Sequence, residues 1–109
     1  MGQPIDARQF LSTLIDRDIE TFSGRRNRVL RLSGDEVLVA TERSPSGAPV
    51  PIEWVQAALD RLTAGEDVEI SVESVGYRSA FIGAVLLQVP GIVKGVNPQR
   101  VRIDTSDAR

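Results

Sequence analysis

The sequence predicts one small α+β domain of three helices with a β-hairpin and one or two further strands, in an order that leaves a winged-helix-like form open. Three observations predict it. Apolar residues recur at helical spacing near both Leu11 and Leu59. Two β-rich runs, Arg28–Leu32 and Val37–Thr41, flank a short Ser-Gly-Asp-Glu spacer. A third segment, residues 77–89, is apolar nearly all round, as a buried helix is.

The first helix is expected over residues 6–20. Asp6 with Gln9 three residues later forms a capping-box pattern, and Phe10, Leu11, Leu14, Ile15 and Ile19 share a face. Ser23-Gly24 breaks that pattern, and the hairpin follows. Residues 42–50, with Pro45, Gly47 and Pro49, read as an exposed loop. The second helix begins near Pro51, carries Ile52, Val55, Leu59 and Leu62 on one stripe, and stops at Gly65. Val68, Ile70 and Val72 alternate with Glu69, Ser71 and Glu73, a half-exposed strand pattern that a short helix would also fit. In the third helix Gly83 costs about 1 kcal/mol relative to Ala, which points to close packing against a neighbour. Pro90-Gly91 ends it. A last strand covers Arg100–Ile103, the tail from Asp104 to Arg109 is expected to fray, and the ordered core spans residues 6–103.

With 109 residues there is room for a single core. Hydrophobic residues make up 41% and charged residues 26%, a globular composition rather than that of a disordered tail. No apolar run nears the roughly 18 residues of a membrane span, so no membrane partner is expected. The first residues lack the basic and apolar regions of a signal peptide. Cytoplasm is the default location.

The chain has neither His nor Cys. That removes Ser–His and Cys–His nucleophile pairs, histidine bases and the usual zinc sites. The single lysine, Lys94, has no acid near it in sequence to complete a carboxylate-and-lysine nuclease site. No dinucleotide, P-loop or EF-hand pattern is present. The expectation is a chain without catalysis, cofactor or metal. Glu66, Asp67, Glu69 and Glu73 lack the geometry of a cation loop and read as a solvated strand face.

Charge is unevenly spread. Residues 24–31 hold Arg25, Arg26, Arg28 and Arg31 without an acid, and residues 74–103 hold Arg78, Lys94, Arg100 and Arg102 without an acid. All 15 acids share the rest of the chain with the other five basic residues. If folding joins the two segments, they form a basic patch for phosphates. The hinge of that expectation is whether Arg25–Arg31 and Arg78 share a face. Ser74-Val75-Gly76-Tyr77-Arg78-Ser79 leads into the apolar helix. Its N–H groups and dipole can receive an anion, with Tyr77, Arg78 and Ser79 beside it, or Ser74 and Gly76 simply cap a buried helix. Trp54 lies off the apolar stripe of its helix. It either packs at the core edge or anchors another domain or subunit.

One segment carries a resemblance. The helix Pro51–Leu59, the run Tyr77-Arg78-Ser79-Ala80-Phe81-Ile82-Gly83-Ala84-Val85-Leu86 and the following Val89-Pro90-Gly91 resemble the N-terminal head domain of actinobacterial modification-dependent (type IV) restriction endonucleases of the ScoMcrA kind. The similarity covers most of residues 10–103. It implies a DNA-engaging head in phage defence, with modified DNA recognised by other modules and cleavage carried by a separate HNH domain. The partners it implies are double-stranded DNA, unmodified or modified, and other domains of the same nuclease. The chain is then an excised domain or a stand-alone relative. The expected DNA contacts are Arg25, Arg26, Arg28, Arg31, Tyr77, Arg78 and Ser79. Two alternatives remain: a docking or homodimer head using Trp54, and a stand-alone regulator that binds a nuclease.

Overall fold

The computed structural model describes residues 3–104. The N-terminal signal holds at its start: Asp6 Oδ2 accepts the Gln9 backbone N–H at 2.9 Å and caps helix α1 (Ala7–Ser12). The helix predicted to residue 20 stops eight residues early. Asp16 adopts φ 66°, outside the helical region, and the chain turns into strand β1 (Asp18–Glu20). Ile15 bridges to Val29 instead of continuing the helix. The apolar face was real, since Leu11, Leu14 and Ile19 are all buried, but it is shared between a helix and a strand.

Strand β2 (Arg26–Ser33) and β3 (Glu36–Ala40) form the expected hairpin. It is not an isolated wing: β1 pairs to one side and β4 (Ala48–Pro51) to the other, giving an antiparallel meander in the order β1-β2-β3-β4. β4 corrects the reading of residues 42–50 as loop. Its Val50 pairs with Val37 on the buried face, and both are fully buried. A register shift between Val29 and Arg31 makes a bulge at Leu30. The bulge resets the alternation, so Arg26, Arg28 and Arg31 are all exposed while Asn27 and Val29 are buried.

Helix α2 (Ile52–Thr63) has its predicted stripe, with Ile52, Val55, Leu59 and Leu62 buried. Pro51 is its N-cap residue as well as the last residue of β4. The helix packs on α1 and on strands of both sheets. Its Gln56 holds the chain's start: Oε1 accepts the Ala7 N–H at 2.7 Å and Nε2 donates to the Ile5 carbonyl at 2.8 Å.

The predicted strand over residues 68–73 is shorter. β5 is only Val68–Glu69, and Ser71 then caps a single helical turn, α3 (Val72–Val75), through its hydroxyl to the Ser74 N–H. The apolar helix α4 (Ser79–Leu86) begins two residues later than expected and buries every residue from Phe81 to Leu86. Among the described residues there are four helices where three were expected. A β6 strand (Ile92–Gly95) was not anticipated. It joins β7 (Arg100–Ile103) in a second sheet of order β5-β7-β6. Of the tail, Asp104 donates its N–H to the Gly91 carbonyl, and residues 105–109 lie outside the described part.

The close approach expected at Gly83 is present. A Cβ there would lie 2.7 Å from Ile70 Cγ2 and 3.5 Å from Phe22 Cδ1, so only glycine fits between β5's extension and the β1–β2 turn. The radius of gyration, 13.2 Å, is that of one domain of about 100 residues, about 13 Å.

Candidate nucleic-acid interface

Three connections meet at one end of the meander: the β1–β2 turn, the loop after β3, and the α3–α4 junction. Each is shaped locally. Thr21 is buried, its Oγ1 accepts the Arg25 N–H at 3.1 Å, and its own N–H donates to the Arg25 carbonyl, so the turn that carries Arg25 is tied at both ends. Thr41 and Ser44 exchange backbone hydrogen bonds, with Thr41 Oγ1 also accepting the Ser44 N–H, which closes a tight loop around Glu42 and Arg43. Gly76 takes φ 103° and ψ −177°, a region open essentially to glycine alone, and turns the chain from α3 into α4.

Between these connections lies a cleft of about 250 Å³. Arg25, Arg26, Arg43 and Arg78 line it, with Glu42 as the one carboxylate. Tyr77, 76% exposed, stands at its rim beside Ser79. Phe81 and Asn27, both buried, also line it. The two acid-free segments are thus joined in space, and Arg25 and Arg26 share a cleft with Tyr77, Arg78 and Ser79.

Arg28 and Arg31 are not part of this cleft. Arg28 lies across from Asp18 in the β1–β2 register, and its Nε donates to Asp18 Oδ1 at 2.9 Å. That hydrogen bond, with the charges of Arg28 and Arg26, holds the Asp18 carboxyl below its ordinary value against a smaller opposing effect of desolvation, and it raises Arg28 in turn. Arg26 is shared, since Nη1 lies 3.9 Å from Asp18 Oδ2. Arg31 is exposed further along β2, past the bulge.

The α4 N-terminus differs from expectation. Ser74 and Gly76 belong to α3 and its C-terminal end, so neither caps α4. Arg78 occupies the N-cap position without a side-chain cap, which leaves the first N–H groups of α4 without a capping side chain. Ser79, Ala80 and Phe81, which carry them, line the cleft.

Trp54 is half-buried, packed against the core and beneath α3, where a Cβ at Gly76 would come within 3.8 Å of its ring. The acids read as a solvated face are partly paired: Glu66 with Arg61 at 3.1 Å and Asp67 with Arg100 at 3.2 Å. No group of acids able to hold a metal occurs among the described residues.

Sequence reasoning missed Arg43, Glu42 and Asn27. The alternation of β2 carries a signal for Asn27, which falls on the same inward parity as Val29. Nothing in a Pro/Gly-punctuated loop marks Arg43 in advance. No described helix is long and apolar enough to cross a membrane. Comparison with protein-family models, curated proteins and solved structures finds no match for the chain.

Proposed function

We propose that this chain is a non-catalytic nucleic-acid-binding domain that grips the phosphate backbone of double-stranded DNA through the arginines of the cleft. The observation that carries the reading is the convergence of Arg25, Arg26, Arg43 and Arg78 around one opening with a single opposing acid, Glu42. Guanidinium groups suit bidentate contact with phosphate oxygens, and the uncapped N-terminus of α4 adds N–H donors to the same opening. Such contacts position a protein on a duplex without reading its sequence. A chain without His or Cys fits a binding role better than a hydrolytic one.

The resemblance to type IV restriction endonuclease head domains supplies the setting: an accessory head in the cytoplasm, working beside other domains that recognise modified DNA and cut it. The test is a titration of the chain against modified and unmodified duplex at low and moderate salt. Affinity that falls steeply as salt rises supports the reading, because phosphate contacts release counterions. Absence of binding at low salt, with the chain dimeric in light scattering, overturns it in favour of a docking domain.

A further inference from the structure

The cleft holds a feature that backbone binding does not use. Asn27 is only 6% exposed, and its side chain makes no hydrogen bond within the described residues. Among the described residues no fully sealed side-chain nitrogen or oxygen lacks a partner, so the unbonded Asn27 amide keeps some contact with solvent, and Asn27 lines the cleft. A hydrophobic residue at this inward position would pack beside Val29 without the cost of desolvating an amide.

Resting on the nucleic-acid reading, we propose that the cleft receives one unstacked nucleotide. Its base enters against Asn27 and Phe81, and Tyr77 at the mouth stacks on the base or on its neighbour. Its phosphate stays at the rim with Arg25, Arg43 and Arg78. Three observations converge. The volume, about 250 Å³, lies just below the roughly 300–1,000 Å³ of drug-sized ligand sites, which suits a single base. An asparagine amide presents the donor and acceptor pair that matches the edge of adenine. An exposed aromatic ring among arginines is the arrangement by which proteins hold single-stranded nucleic acid, one base per ring. The recognised chemistry is a nucleoside phosphate, borne either by a strand with an unpaired position or by a free mononucleotide.

The experiment uses fluorescence anisotropy of the whole chain with three labelled DNAs: a blunt duplex, the same duplex carrying one unpaired dA, and a single strand. Unlabelled dAMP at millimolar concentration serves as competitor. The duplex with the unpaired dA and the single strand are expected to bind about tenfold more tightly than the blunt duplex. Asn27→Ala removes that preference. Tyr77→Ala does the same, and because Tyr77 is exposed, this variant tests the idea even if Asn27→Ala folds poorly. Competition by dAMP assigns the cleft to the free nucleotide as well. Failure of dAMP to compete, with the preference intact, assigns it to a strand. Equal affinity for all three DNAs, unaltered in both variants, overturns the nucleotide cleft and leaves backbone binding standing. Absence of binding to any DNA and to dAMP removes both.

Discussion

Arg28 Nε donates to Asp18 Oδ1 at 2.9 Å across neighbouring strands, so an arginine that the sequence offers to phosphate already holds a carboxylate. Asp18 also draws on Arg26, 3.9 Å away, which lines the cleft. Asp18→Asn is therefore expected to strengthen DNA binding by releasing Arg26, the one of the two arginines that lines the cleft. Affinity measured at one fixed salt concentration for Asp18→Asn and for the unaltered chain checks this. Equal affinities would show that Arg26 is not held back by Asp18.

The same pair sets a pH dependence. The Asp18 carboxyl is held below its ordinary value of 3.8, chiefly by the Arg28 hydrogen bond. A group whose folded value is depressed contributes stability that is complete above the unfolded value and is lost as pH falls through the folded one. Both side chains are substantially exposed, so the contribution is small. Urea unfolding should show the unaltered chain slightly more stable than Asp18→Asn near neutral pH. The gap should close as the solution is acidified below the ordinary carboxylate range.

Arg25, Arg43 and Arg78 form no ion pair among the described residues, in contrast to Arg28. If each meets one phosphate, replacing any of them with Ala lowers the slope of log affinity against log salt by about 0.9. Glu42→Gln should raise affinity at low salt, since it removes the one acid of the cleft. A salt series on the four variants measures both effects.

Gly83→Ala tests the packing beneath the cleft. The added Cβ would meet Ile70 Cγ2 at 2.7 Å, and Ile70 is 9% exposed and β-branched, so it has little freedom to move. Alanine is worth about 1 kcal/mol more than glycine in an exposed helix. The overlap opposes that gain and should leave a net loss of about 1–3 kcal/mol. Urea midpoints report it, and Gly83→Ala should cost less in an Ile70→Ala background than in the unaltered chain.

Local signals reached some of these features and not others. The hairpin, the stripe of α2 and the burial of α4 were legible because each repeats over two or more turns or along a full strand. Helix α1 was overextended because Leu14 and Ile19 keep the apolar face although the helix has ended at Ser12 and Asp16, at φ 66°, turns the chain into β1 between them. Periodicity records burial and is silent on a change from helix to strand. β4 and β6, four residues each, are too short to carry a period and exist through pairing with β3 and β7. For the candidate site, charge segregation identified Arg25, Arg26 and Arg78, which the fold brings together. It also identified Arg28, because Asp18 lies ten residues away in sequence and becomes its neighbour only through strand pairing. Arg43 arrives by a loop whose path depends on the Thr41–Ser44 hydrogen bonds.

The most direct test of the cleft is a comparison of two multiple variants on one duplex at low salt. In the first, Arg25, Arg43 and Arg78 are changed to Ala; in the second, Arg28 and Arg31 on the exposed strand face are changed to Ala. The cleft variant should lose salt-sensitive binding and the strand-face variant should keep it, with both unfolding at similar urea concentrations. Binding retained by the cleft variant, or lost equally in both, would contradict the assignment of DNA contact to the cleft.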